Sequence, residues 1–339
     1  MEITPLVSII LPVFNGEKFL DESVRSLLNQ SYKNFELIII NDGSTDKSKE
    51  IISNFSDDRI LYYENETNIG LISTLNKGIE LSKGKYIARM DADDISYENR
   101  LKVQVDFLEK NTDHMMCGGW AETINNKGFK TGKIKRITSD GLIRSNILFT
   151  TPFIHPTILI KSQILKETNY SIDTLHCEDL DLWVRLALKY KYKFANIPIY
   201  LIKYRLHNSN VSIQHKQIQE NNRIKYILPF IKELIPELSP ENIKLHFLSF
   251  QTGKIKADYK MIFNEKKWLV KLSKINHQKK KFPKNDLDSL LFSRWIVFCV
   301  KIKCPFLIPF INIPWFKPQI FGGYLSGNRK YFRRSFFNY

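Results

Sequence analysis

Three carboxylates, Asp91, Asp93 and Asp94, fall within four positions, just after the apolar run Tyr86-Ile87-Ala88 and the pair Arg89-Met90. If that run is a buried strand, alternation puts Asp91 and Asp93 on one side as the chain leaves the sheet. Carboxylates that close repel each other unless a cation or a hydrogen-bond network lies between them. Donors that are all oxygen favour a hard divalent ion, Mg²⁺ or Mn²⁺, and such ions usually bridge to substrate phosphates. The competing reading is an acidic turn that caps the helix expected near Asn99, because Asp favours caps. A second acidic group, Glu178-Asp179-Leu180-Asp181-Leu182-Trp183, opens another helical pattern, where carboxylates also suit the dipole.

The elements that must position these groups are legible in the first hundred residues. Val7 to Val13 is almost continuously apolar, as expected of a strand buried on both faces, and Pro12 falls where a missing ladder donor is tolerated. Asn15-Gly16 turns into a helix that carries Phe19, Val24, Leu27 and Leu28. Phe35 to Ile40 is a second strand, ending in Asn41-Asp42-Gly43-Ser44-Thr45-Asp46. Ile60 to Tyr63 is a third, and Asn68-Ile69-Gly70 leads into a helix with Leu71, Leu75, Ile79 and Leu81. Strand and helix in alternation predict a parallel sheet with helices on both faces, and such sheets bind ligands beyond the carboxyl ends of their strands. Pro12, Asp42 and the 91–93 carboxylates all sit at those ends. Further on come a hairpin candidate at Asn125-Asn126-Lys127-Gly128, then His155-Pro156-Thr157, and finally Tyr204-Arg205-Leu206-His207-Asn208.

Charge divides the chain sharply. Residues 1–214 carry 27 basic and 27 acidic side chains, whereas residues 215–339 carry 24 and 8, so the whole net charge of +16 belongs to the last third. A neutral body with a basic, aromatic end points to a polyanionic surface as partner. The segment from Arg294 to Phe316 mixes Trp295, Ile296, Val297 and Phe298 with Lys301, Lys303 and three prolines, which predicts an interfacial segment and excludes a spanning helix; the alternative is that these residues pack onto the catalytic domain as ordinary core. Cys117, Cys177, Cys299 and Cys304 lack metal-ligand spacing and read as free thiols of a reducing compartment. With no secretory signal and no long uncharged apolar run, the expected location is cytoplasmic, peripheral on the inner membrane face. A dinucleotide-binding dehydrogenase is excluded, since no G-x-G-x-x-G follows a strand. A sugar nucleotidyltransferase would need a Gly-rich phosphate loop that Pro12 to Gly16 does not offer. A catalytically weak membrane- or nucleic-acid-binding adaptor built on the basic tail stays as the alternative, though it has no use for carboxylates at three strand ends.

Taken together, SIILPVFNGEKFLDESVRSLLNQSY, ELIIINDGSTD, NIGLISTLNKGI, ARMDADD, HPT, EDLDLW and YRLH resemble the inverting glycosyltransferases of family 2, of the bacterial surface-polysaccharide type. The resemblance covers about the first 210 residues and implies a GT-A-type α/β fold, a mostly parallel sheet flanked by helices. Outside it lies the basic C-terminal extension, expected to be mainly helical. The domains implied are a nucleotide-sugar-binding half over 1–105, an acceptor-binding and catalytic half over 106–214, and the extension over 215–339. By resemblance, Pro12, Phe14, Asn15 and Glu17 wall the nucleotide pocket, and Asp42 hydrogen-bonds the base, unless it is an N-cap. Asn68 and Asn76 line the nucleotide, unless Asn68 is a helix cap, and Arg89, Asp91 and Ala92 lie beside it, with a surface ion pair as the alternative for Arg89. Asp93 is the direct ligand of a required Mn²⁺ or Mg²⁺, Asp91 contacts ribose or a metal-bound water, and His207 reaches the metal or pyrophosphate. Asp179 is the general base, with Glu178 as the substitute; helix capping is the alternative for both. His155 has no assigned role. The donor implied is a nucleoside diphosphate sugar, UDP-hexose or UDP-N-acetylhexosamine, and the acceptor a glycan, lipid-linked at an anionic membrane surface; no nucleic acid is expected.

Overall fold

The computed structural model describes residues 4–174, 176–207, 216–248 and 258–304, together with 307 and 311. Strand β1 (Val7–Val13) pairs in parallel with β2 (Phe35–Asn41) and β4 (Tyr86–Arg89), and β2 pairs in parallel with β3 (Ile60–Glu64). Every residue of β2 is buried and β1 is buried apart from a partly open Pro12, which is why their sequences are apolar at consecutive positions. Helices α1 (Leu20–Leu28), α2 (Ser48–Ser53) and α3 (Leu71–Leu81) connect these strands. Helix α3 lies so close to β1 that a Cβ at Gly78 would stand 2.5 Å from Ile10 Cγ2, so glycine is the residue that admits this packing.

Beyond β4 the sheet becomes mixed, where the sequence pattern predicts a mostly parallel one. Its order is β3-β2-β1-β4-β8-β6-β9-β5, with β7 attached to β6. Strand β8 (Leu159–Lys161) runs antiparallel to both β4 and β6 (His114–Ile124), while β9 (Lys193–Arg205) runs parallel to β6. The two-residue β5 (Ile95–Ser96) pairs antiparallel with the end of β9, Ile95 opposite Lys203. The acidic turn between β4 and β5 is thus tied at both ends to strands well separated in the sheet. Strand β7 (Lys130–Ile134) completes a hairpin through Asn125–Gly128, as the sequence predicts, with the Gly128 amide donating to the Asn125 carbonyl. Helices α4 (Arg100–Lys110), α6 (Ser162–Thr168) and α7 (Glu178–Lys189) complete this part.

Residues 1–139 and 152–219 form one compact unit; residues 140–151 and 220–339 form a second. Described by itself, the second unit is helical: α5 (Asp140–Ile147), α8 (Lys216–Leu234, which begins in the first unit), α9 (Pro240–Leu248), α10 (Tyr259–Lys279) and α11 (Lys284–Lys301). Its core holds Trp268, Leu272, Leu291, Trp295 and Phe298, and His246 stacks on Phe149 at 4.5 Å while its Nε2 donates to the Leu148 carbonyl and its Nδ1 accepts from Trp268 Nε1. This corrects one expectation. Trp295, Ile296 and Phe298 are at most 7% exposed, so they pack as core and do not face a lipid surface. Most of the Pro-rich stretch after Cys304 lies outside the described residues. Among those described, no helix is long and apolar enough to cross a membrane.

Candidate functional site

Strand β4 delivers Arg89, buried at 5% exposure, and then the acidic turn. One carboxylate oxygen from each of Asp91, Asp93 and Asp94 lies within 4.8 Å of the others. Each is held differently. Arg89 grips Asp91 through both terminal nitrogens, at 2.7 and 2.5 Å. His207 Nε2 meets Asp93 Oδ2 at 2.7 Å. Asp94 Oδ1 accepts from the Arg205 amide, and its Oδ2 is buried with no hydrogen-bond partner. Burial, with the charge of Asp93 behind it, raises Asp91 to about 6 against the pull of Arg89, and the same causes push Asp94 well above the carboxylate range. A hard cation fits this donor set: three carboxylates converge, one buried oxygen has nothing to bind, and the mutual repulsion is of the kind a cation relieves. Asn99, not an aspartate, occupies the N-cap of α4, so the capping alternative for this turn is not what the fold uses.

The β1–α1 and β2–α2 turns are stitched together. The amides of Asn15, Gly16 and Glu17 donate to Ser44 Oγ, Ser48 Oγ and the Asp46 carboxylate at 3.0, 2.9 and 2.9 Å. In return Asn15 Oδ1 accepts from the Thr45 amide and the Glu17 carboxylate from that of Lys47. Asn15 adopts a φ of 49°, and Phe14 stays 49% exposed beside Pro12. The acidic turn adjoins this one: Ser23 Oγ of α1 donates to the Asp91 carbonyl, and Gly16 faces Ala92. Asp42 is 3% exposed and accepts from Asn65 Nδ2 and the amides of Ile69 and Gly70, so it caps the entry to α3. A carboxylate has about four acceptor positions, and three are filled here, which leaves one for a ligand. Asn68 Oδ1 accepts from Gly70. Asn76 has another duty than the one expected: its amide brackets the Tyr170 backbone, donating to the carbonyl and accepting from the amide.

The second acidic pair opens α7, whose N-cap is Cys177. Asp179 Oδ1 accepts from the Leu180 amide at 2.7 Å. Burial, then the neighbouring charge of Asp179, raises Glu178 to about 7. Glu178 also feels the charges of Arg89 and Asp91, and Tyr170 feels all four, so the pair and the acidic turn share one electrostatic environment. Tyr170 Oη meets His155 Nε2 at 2.7 Å, and burial beside Arg89 holds that imidazole neutral.

The description "Glycosyl transferase family 2" matches residues 8–168. An uncharacterized glycosyltransferase of Haemophilus influenzae is 36% identical over 239 residues, 66% of this chain and 73% of that one. The chain belongs to glycosyltransferase family 2. The putative glycosyltransferase EpsE of Bacillus subtilis is likewise 36% identical, over 55% of this glycosyltransferase and 68% of its own length. Two solved structures share the fold at low identity. S. aureus TarS 1-349 in complex with UDP-GlcNAc superposes with a TM-score of 0.57 at 16% identity, covering 89% of this chain and 90% of that one. The mannosyltransferase PcManGT from Pyrobaculum calidifontis, in complex with GDP-Man and Mn2+, gives 0.52 at 12%, covering 91% and 86%.

In this glycosyltransferase the structure brings Arg89, Asp91, Asp93, His207, Glu178 and Asp179 to one region, with Pro12, Phe14 and Asp42 at neighbouring strand ends. Asn15, Glu17 and Asn76 use their side chains to fasten loops. Two residues of the site were not singled out by sequence: Asn65, which holds Asp42, and Tyr170, which meets His155. Asp94, named only as the third acid of its run, supplies the third carboxylate.

Proposed function

We propose that this glycosyltransferase moves a sugar from a nucleoside diphosphate donor to a hydroxyl of a glycan with inversion at the anomeric carbon. The observation that carries the reading is the shared electrostatic environment of the three-carboxylate turn, Arg89 and the α7 acid pair. Asp93, with Asp91, Asp94 and His207 around it, would hold Mn²⁺ or Mg²⁺. When bound, such an ion neutralises charge that develops on the departing diphosphate. The two structural neighbours support both parts, one being in complex with UDP-GlcNAc and the other with GDP-Man and Mn2+.

The chain's own residues supply the rest. Pro12 and Phe14 wall the nucleotide, the remaining acceptor position of Asp42 takes a base N–H, and Asn68, Arg89 and Ala92 lie alongside. Asp179 accepts the proton of the attacking hydroxyl, and a single displacement from an α-linked donor yields a β-linkage. A second reading exchanges the acids, because Glu178 at about 7 is matched to base duty near neutrality. We assign a UDP-hexose or UDP-N-acetylhexosamine donor and a lipid-linked acceptor in surface-polysaccharide synthesis, at the cytoplasmic face of an anionic membrane. The basic second unit is what supports that location. The test is a panel of UDP-, GDP- and dTDP-sugars assayed for release of nucleoside diphosphate, with Mn²⁺, with Mg²⁺ and with excess chelator. Metal-dependent release from a UDP-sugar is expected. Undiminished turnover in chelator would remove the metal, and a retained anomeric configuration would remove the single displacement.

A further inference from the structure

Arg205 ends β9, two residues before His207, and is 1% exposed. Its guanidinium reaches three separate segments. Nε donates to the Asp93 carbonyl at 2.8 Å, one terminal nitrogen donates to the Asn125 carbonyl at 3.1 Å, and the other pairs with Glu22 of α1 at 2.5 Å. Its backbone amide donates to Asp94 Oδ1 at 2.8 Å. The ring of Phe19 lies 4.3 Å from the guanidinium carbon and 5.4 Å from the His207 ring, so one aromatic side chain supports both. The Leu206 amide, between them, is fixed to the Ile124 carbonyl.

We propose that Arg205 is a positioning residue for the acidic turn: it holds the backbone of Asp93 and the carboxylate of Asp94 so that the ligand oxygens converge, and it sets His207 against Asp93. The inference rests on the reading that this turn binds a divalent cation. Repulsion among three carboxylates opens the turn unless something pulls its backbone inward. The Arg205 guanidinium pulls at the Asp93 carbonyl, while Asp94 Oδ1 is held by the Arg205 backbone amide, which a side-chain substitution keeps. Only arginine carries a planar fork with donors aimed in three directions; lysine in its place keeps the charge but cannot reach all three acceptors. Glu22, on the exposed side of α1, anchors the outer prong and balances the buried charge.

The test uses the full chain and Mn²⁺ alone, with binding followed by electron paramagnetic resonance of the free ion and folding by thermal melting. Arg205→Lys and Arg205→Gln should raise the Mn²⁺ dissociation constant by about 10–100-fold, the range for residues that orient metal ligands. A residue that served stability alone would lower the melting temperature and leave the Mn²⁺ affinity of the folded protein unchanged. Should either Arg205 variant fail to fold, Glu22→Gln keeps the arginine while freeing its outer prong, and a weakening of up to about tenfold is expected. Folded variants that bind Mn²⁺ as wild type does, Glu22→Gln included, overturn the assignment of Arg205 and leave the metal site standing. Wild-type protein that binds no Mn²⁺ overturns both.

Discussion

Glu178 and Asp179 illustrate how little of a catalytic assignment is settled by position alone. Both open α7, where carboxylates suit the helix dipole, and both share the electrostatic environment of Arg89 and Asp91. Their surroundings separate them. Asp179 accepts the Leu180 amide, whereas burial, with the charge of Asp179 beside it, raises Glu178 to about 7. With Asp179 as base, Asp179→Asn should cut transfer by about 10²–10⁴-fold while nucleotide affinity stays near wild type. The pH profile carries the sign. Glu178 takes up a proton as pH falls through about 7, the neighbouring negative charge disappears, and Asp179 becomes a weaker base, so transfer declines on the acid side. Glu178→Gln, uncharged at every pH, should flatten that limb and hold the rate near its acid-side level. If Glu178→Gln instead abolishes transfer and Asp179→Asn is nearly active, the base sits one residue earlier.

Among the elements, α4 does what no sequence pattern announces. Arg100 is 1% exposed in its first turn and donates to the Arg89 carbonyl at 2.9 Å and the Ile158 carbonyl at 3.3 Å, with Gln104 Oε1 on Nε. It therefore braces the end of β4 from which the acidic turn springs, though burial lowers its own pKa to about 10. Arg100→Ala removes these buried hydrogen bonds and opens a cavity, and should lower unfolding free energy by roughly 2–4 kcal/mol in denaturant titration. A loss below about 0.5 kcal/mol, typical of surface changes, would show the brace to be dispensable. The contrast explains what was legible. Strands β1, β2 and β4 are buried on both faces, so their apolar runs and the polar residues at their ends stand out in the sequence. Asp91, Asp93 and His207 followed from spacing and resemblance, and the structure places them within reach of one another. Arg100, Asn76 and Arg205 bind backbone groups, and Asn65 the Asp42 carboxylate, far away in the chain, and those partners exist only once the sheet has formed. The mixed half of the sheet was hidden for a related reason. Strand direction from β8 to β5 is set by pairings over long separations, which an apolar pattern does not encode.

At the scale of the whole molecule the charge is the feature that the fold leaves unabsorbed. Residues 1–214 are balanced, and the excess of 24 basic over 8 acidic side chains lies beyond them. Within the second unit, Lys267, Lys271 and Lys274 are exposed along one face of α10, and Lys279 and Lys280 follow at its end. Lys281 is paired with Glu233. Trp295, Ile296 and Phe298 are core, whereas Tyr259 and Phe263 are exposed on α10 in the two turns before Lys267, so attraction to a membrane through this face is mainly electrostatic with two aromatic side chains beside it. Each basic residue near an anionic leaflet contributes about 1 kcal/mol, so a cluster of five suffices for peripheral binding at low salt. Such binding weakens as salt shortens the screening length from about 10 Å at 0.1 M to about 3 Å at 1 M. The full chain should therefore sediment with phosphatidylserine-containing vesicles at low ionic strength, leave them at high salt, and ignore neutral vesicles. Exchanging Lys267, Lys271 and Lys274 for Gln, with Lys279→Gln and Lys280→Asn, removes the stripe and keeps the Lys281–Glu233 pair. Asn at 280 suits the left-handed conformation there, φ 52°. That variant should lose vesicle binding and retain sugar transfer to a soluble acceptor. Protein that passes over anionic vesicles at low salt, with its fold intact, would leave the basic face to another polyanion and end the case for a membrane-side acceptor.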